Sequence, residues 1–151
     1  MTNCSNNKSK KEGVINENLA EVIKEKPTKA SLFDRLGGEE GIAKIVDDIV
    51  QTHIDNPEIN RVFIPFKNDL VRLKALKKHS REFLSAGTGG GATYTGKDLP
   101  TAHTGLKTTE KEFLSAIDDI LMVLNNHNID EETKKDMLYI LYSLKGAVIG
   151  I

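Results

Sequence analysis

The side chains best suited to metal-binding chemistry in this sequence are its four histidines, His53, His79, His103 and His127. Neutral imidazole is the commonest metal ligand among protein side chains. The sequence contains no phosphate-binding GxxxxGKS/T loop, no nucleophile elbow, no HExxH and no paired CxxC. A glycine-rich run at 87–91 follows a predicted helix rather than a strand, which argues against a nucleotide-binding loop.

The four histidines differ in their surroundings. His127 lies in the polar segment 125–128 and is expected to be solvated. His53 falls on the apolar side of a predicted helix, where packing is the favoured role. His79 and His103 lie on two predicted helices separated by a glycine-rich loop. Histidines on opposing helices can flank a flat group with a central metal, since His–metal bonds are about 2.0–2.1 Å long; a purely structural role is the alternative.

Apolar residues at helical spacing predict the elements that position these side chains. Helices are expected at 42–54, 68–86, 99–106, about 108–124 and 130–148, and an apolar corner bent by Pro65 is expected at 59–66. Ser31 and Asp34 form a capping-box-like start for the globular part. The apolar stripe of 68–86 is interrupted at His79 and Ser80. The loop 87–98 is long for a compact domain, which hints at function. No strand-like alternation is present, so the fold class is all-α.

Composition limits the function classes. The chain has 151 residues, with 38% hydrophobic residues, 28% charged residues and a formal net charge of −1, which indicates an ordinary globular domain and argues against nucleic acid as a partner. The single cysteine, Cys4, excludes an internal disulfide, and no apolar run is long enough to span a membrane. We expect a cytoplasmic, monomeric protein. Residues 1–30 are expected to be a disordered tail with a short extra helix at 14–26, followed by one domain at 31–151.

From Ser31 to Val148 the sequence resembles the group I truncated haemoglobins. The resemblance is carried, in order, by LFDRLGG at 32–38, VDD at 46–48, DNPEI at 55–59, TGG at 88–90, YTG at 94–96 and DLPTAHTGL at 98–106. Any one of these pieces alone would be a weak signal, whereas their order and spacing together are specific. The resemblance implies a shortened globin fold, a two-over-two helical sandwich around haem b.

The resemblance also assigns roles to individual residues. His103 matches the proximal histidine that binds the haem iron, and Phe63, or Phe66, matches the phenylalanine against the haem face. Helical spacing places Nδ1 of His103 near the carbonyl of Leu99, which would leave the other ring nitrogen for iron. The apolar residues expected to exclude water from the pocket are Val46, Ile49, Val50, Leu76, Leu84, Ile117 and Leu121. The haem propionates are expected to meet Lys or Arg residues near the corner and the long loop, with Lys77 and Tyr94 as named candidates.

The ligand-binding side departs from the usual pattern of the family. Many relatives carry a tyrosine on the second helix and a glutamine on the opposite helix, both hydrogen-bonded to bound oxygen. The matching positions here are Val50 and Ser80, with Leu76 one turn earlier. Loss of the tyrosine hydroxyl removes a donor that contributes about 1 kcal/mol or more.

His79 matches a histidine that binds iron as a second axial ligand in some cyanobacterial relatives. Three roles remain open: it binds iron, it donates a hydrogen bond to bound oxygen, or it stays at the haem edge or in solvent. The function implied first is reversible binding of oxygen, carbon monoxide or nitric oxide, with nitric oxide detoxification and a reductase partner as extensions. The alternatives are a six-coordinate haem for electron transfer or redox sensing, and a helical interaction module without haem.

Overall fold

The computed structural model describes residues 29–151, and the short helix expected at 14–26 lies outside them. Within 29–151 the chain forms seven α-helices and one 3-10 turn, and its only strand-like feature is an isolated bridge between Thr108 and Ile149. The helices are α1 (Leu32–Arg35), α2 (Gly38–Asp55), α3 (Asn60–Lys67), α4 (Leu70–Thr88), α5 (Leu99–His103), α6 (Glu110–Asn126) and α7 (Glu131–Ser143), followed by the 3-10 turn Lys145–Ala147. The all-α prediction is confirmed.

Side-chain caps fix where most helices begin. Ser31, Asp69, Asp98, Thr109 and Asp130 each accept a hydrogen bond from a backbone N–H in the first turn of the helix that follows. Such a cap satisfies one of the N–H groups that have no partner inside the helix. The expected starts at Ser31 and Asp130 are therefore confirmed, and the helix expected from about 108 begins after its cap, Thr109.

Four helices, α2, α4, α6 and α7, form the body of the domain. α2 packs against α4 and α6, and α6 packs in turn against α7. The core between them is apolar and closed to solvent; it consists of Leu36, Ile42, Ile45, Val46, Val50, Ile54, Val123, Leu124 and Met137. No helix in residues 29–151 is long and apolar enough to cross a bilayer.

Three predicted boundaries near the candidate site are corrected. The corner at 59–66 is the helix α3, which retains Pro65 because a proline near the end of a short helix removes few backbone hydrogen bonds. α4 continues through Gly87 to Thr88, whose hydroxyl donates to the carbonyl of Leu84 at 2.7 Å. The loop therefore begins at Gly89, the left-handed residue that ends α4 with φ of 97°.

The third correction concerns α5, which is a single turn ending at His103 rather than at residue 106. Thr104 already has an extended ψ of 128°, and Gly105 has a φ of 86°, so the helix cannot continue past His103.

Candidate functional site

His103 ends α5, and its ring is oriented by the helix that carries it. Asp98 caps α5 by accepting from the backbone N–H of Thr101 at 2.8 Å, and Pro100 lies in the first turn. Nδ1 of His103 donates to the carbonyl oxygen of Leu99 at 2.8 Å, as predicted. Because a carbonyl only accepts, Nδ1 carries a proton, and in the neutral ring Nε2 then keeps the lone pair. The half-buried imidazole is thus prepared to bind a metal through Nε2.

The surroundings of α5 leave one side of it without a close helical neighbour. α5 packs against the 3-10 turn, and within residues 29–151 it has no comparable contact with α4, to which loop 89–98 joins it. α4 carries an apolar stripe that is only half-buried, and its two fully buried residues are Ser85 and Thr88. A partly covered apolar helix face is the kind of surface that a flat, largely apolar group such as haem could cover.

Several predicted pocket residues lie at the edge of the core. Val50 belongs to the core cluster, and Phe63, Leu76 and Leu84 pack against that cluster while remaining half-buried. Ile117 is buried on α6. Val50 is buried and brings no hydroxyl to this region.

The two candidate phenylalanines of α3 differ in setting. Phe63 packs against the core and its ring centroid lies 5.0 Å from that of His53. Phe66 is also half-buried, and the guanidinium of Arg72 lies 4.9 Å from the centre of its ring. Which of the two phenylalanines faces the cofactor stays a prediction.

The predicted polar partners of the cofactor are engaged with the protein itself. Lys77 Nζ lies 3.3 Å from Asp47 Oδ1, and the Tyr94 hydroxyl donates to the carbonyl of Lys97 at 2.5 Å. Burial, together with the nearby carboxylates of Asp98 and Glu82, raises the pKa of Tyr94. Their contact with haem propionates therefore stays a prediction.

His79 is half-buried on α4, one residue before the half-buried Ser80. Its imidazole packs edge-on against Tyr94, with ring centroids 6.3 Å apart and an interplanar angle of 80°. His79 thus lies where α4 meets the loop that leads to His103.

His53 is buried in the core and hydrogen-bonded, as expected. Its Nδ1 lies 2.9 Å from Oδ2 of Asp119, and Asn56 Nδ2 donates to both oxygens of the same carboxylate at 3.0 and 2.9 Å. Burial lowers the pKa of His53, and the hydrogen bond and charge of Asp119 oppose that effect. Asp119 was missed from sequence, although its spacing from Ala116 and Val123 places it on the buried face of α6.

His127 lies in a turn after α6 and stays partly exposed, but it also has a partner that the sequence did not reveal. Its Nε2 lies 2.7 Å from Oδ2 of Asp48, and its side chain is 23% exposed. The partner belongs to α2, far away in sequence, so the polar neighbours of His127 could not reveal it.

A cavity of about 190 Å³ lies elsewhere, between α6 and α7. It is lined by Leu121, Glu131, Lys134, Lys135 and Leu138. Of the residues expected to line the haem pocket, only Leu121 borders this cavity, and neither His103 nor His79 does.

Comparison with known proteins gives the family. Residues 31–149 match the family model of the bacterial-like globins. A group 1 truncated haemoglobin from Chlamydomonas moewusii is 28% identical over 130 residues, covering 83% of this chain and 73% of that protein. Another from Mycolicibacterium paratuberculosis is 26% identical over 120 residues, covering 80% and 83%. Because the family model spans most of the chain, the chain belongs to the bacterial-like globins, a family of haem-binding proteins.

Solved structures agree on the fold. The truncated haemoglobin of Tetrahymena pyriformis in its Fe(III) form superimposes with a TM-score of 0.73 at 18% identity, covering 81% of this chain and 100% of that one. A 2/2 haemoglobin from Synechococcus, solved with covalently attached haem, gives a TM-score of 0.66 at 21% identity, covering 77% and 94%. At these identities the structures establish the two-over-two globin fold alone, which confirms that prediction.

Proposed function

We propose that this chain binds one haem b through Nε2 of His103 and that the haem reversibly binds a diatomic gas. The observation that carries the proposal is the 2.8 Å hydrogen bond from Nδ1 of His103 to Leu99, which fixes the tautomer and the ring orientation. Family membership supports haem as the group bound.

Haem supplies the iron that binds oxygen, carbon monoxide or nitric oxide, and the chain sets access and polarity. Leu76, Leu84 and Phe63 offer half-buried apolar surface that excludes water from the iron. Val50 supplies no donor, and on α4 Ser80 and His79 are the candidates for a hydrogen bond to the gas. We expect weaker retention of oxygen than in relatives with the tyrosine.

Haem titration of the purified protein, followed by its Soret absorbance, tests the proposal. The wild-type chain should take up one equivalent, and His103→Ala should lose stable binding. His127→Ala is the matched control, because it removes a histidine that pairs with Asp48 outside the site. Unchanged uptake by His103→Ala would refute the assignment of the proximal ligand.

A second candidate function, electron transfer or redox sensing by a six-coordinate haem, is favoured by the half-buried position of His79 on α4. A low-spin ferrous spectrum without added ligand, converted to five-coordinate by His79→Leu, would support it. Rapid carbon monoxide binding in a single phase by the wild-type protein would instead favour an open gas-binding site.

Nitric oxide detoxification is the enzymatic form of the first proposal and requires a reductase. Its test is catalytic nitric oxide consumption under oxygen with a supplied electron donor. Consumption that stops after one equivalent per haem would limit the protein to gas binding.

A further inference from the structure

The loop between α4 and α5 is fastened to α4 around His79. The backbone N–H and the hydroxyl of Thr95 both donate to Oε2 of Glu82, at 2.9 and 2.7 Å. Lys78 Nζ donates to the hydroxyl of Thr95 at 3.2 Å and lies 3.3 Å from Glu82 Oε1. Lys78 and Glu82 are one turn apart on α4, and His79 lies between them. We call these contacts of Thr95 with Lys78 and Glu82 the polar clamp.

Tyr94 completes the clamp with an aromatic contact. Its ring meets Phe83 edge-on, with centroids 5.4 Å apart, as well as the imidazole of His79. The hydroxyl of Tyr94 is held by the carbonyl of Lys97, so the ring is fixed at both ends. The phenol therefore forms a rigid surface against which the imidazole of His79 rests.

Gly96 explains why the motif reads Tyr-Thr-Gly. A Cβ at position 96 would lie 2.5 Å from the Tyr94 hydroxyl oxygen and 2.7 Å from Cζ of its ring. Any larger residue would therefore push the ring away. Because Gly96 has no side chain, the loop backbone can pass close to the Tyr94 ring. The ring can therefore stay in contact with Phe83 and His79 on α4.

We propose that Tyr94 is a positioning residue for His79: it holds the imidazole against the loop and restrains its approach to the haem iron. This inference rests on the proposed haem-binding function. Its consequence is that weakening the contact raises the share of haem that has His79 as second axial ligand. The contact between Tyr94 and His79 would thus set the balance between haem with a free sixth position and haem with His79 bound there.

NMR of the haem-free chain tests the restraint without any activity. Tyr94→Leu should shift the imidazole C–H signals of His79, because the ring current of the phenol is lost. Tyr94→Phe keeps the ring and should leave those signals close to wild type. Tyr139→Leu, at a position on α7 that is 79% exposed, is the matched control and should change nothing. Unchanged His79 signals in Tyr94→Leu would overturn the proposal.

Haem-loaded variants test the consequence. Tyr94→Leu should raise the six-coordinate ferrous fraction at least two-fold and add a slow phase to carbon monoxide binding, and adding His79→Leu should abolish both changes. Gly96→Ala reaches the same ring by a different route and should shift the fraction in the same direction, which keeps the test valid if Tyr94→Leu folds poorly. A fraction that stays constant or falls in both variants would contradict the inference.

The two failures are distinguishable. If the wild-type chain takes up no haem, the proposed function fails, while the NMR comparison still decides whether Tyr94 holds His79. If haem binds normally and the Tyr94 variants behave like wild type, the restraint fails alone.

Discussion

α2 and α4 pack against each other and have nearly equal lengths of 18 and 19 residues, yet they bury opposite kinds of residue. α2 buries an apolar stripe together with His53, whereas the residues that α4 buries are Ser85 and Thr88. Its leucines are either half-covered, as Leu73, Leu76 and Leu84 are, or exposed, as Leu70 is. Both sequences can form amphipathic helices, so helix formation does not distinguish them. The difference teaches that the α2 side is a closed core, while the α4 side stays partly open, as we expect of a helix that faces the proposed haem.

The largest effect on stability should come from truncating a side chain in the closed core. Leu124 is 0% exposed, so Leu124→Ala should lower the free energy of unfolding by about 4 kcal/mol. Leu84→Ala, on the half-buried face of α4, should cost about 1 kcal/mol in the haem-free protein. Urea unfolding of both variants measures the contrast. Equal losses would mean that α4 is as fully packed as the core.

The buried polar network of the core gives the next largest effect. Asp119→Ala leaves the donors of His53 and Asn56 without their shared carboxylate, and should cost about 3 kcal/mol in unfolding experiments. Asp118→Ala is the control, because Asp118 is the exposed neighbour on the same helix and should change stability by less than about 0.5 kcal/mol. Similar losses in the two variants would refute the structural role of the network.

A smaller, pH-dependent effect should come from His53. Its pKa is lowered in the folded protein, so the unfolded chain binds the proton first as the pH falls through about 6.5. Stability from this group is complete above that pH and decreases below it, by about 1 kcal/mol or less between pH 6.5 and 5.5. His53→Asn retains a donor without titrating and should flatten this part of the curve. If the free energy of unfolding of His53→Asn depends on pH as steeply as that of the wild type, a group other than His53 causes the dependence.

Local patterns were enough to predict the parts of the fold and site that depend on near neighbours in the chain. The hydrogen bond from His103 to Leu99 joins residues four apart, and the caps at Ser31 and Asp130 act three residues ahead. Such contacts follow from helical spacing alone, which is why they could be read before the fold was known.

Contacts between distant segments could not be predicted in this way. The pairs His53–Asp119 and His127–Asp48 join α2 to residues 66 and 79 positions away. No local pattern identifies such partners, and polar neighbours suggested solvent for His127. The end of α4 was missed for another reason: Gly87 and Gly89 can each end a helix, and only the structure shows that the left-handed residue is Gly89.

The contact between Tyr94 and His79 shows a third limit of prediction from sequence. The Tyr-Thr-Gly motif was recognisable as a family feature, but its physical role depends on the Tyr94 ring folding over Gly96 and onto α4. That geometry involves a loop, whose path sequence spacing does not determine.

The most direct test of the central claim, a bond from His103 to haem iron, is chemical rescue of His103→Gly. The variant should take up little haem alone, and added imidazole should restore one equivalent with a wild-type Soret band, since free imidazole fills the space of the missing ring. Uptake of haem by His103→Gly that is already complete, and indifferent to imidazole, would contradict the account.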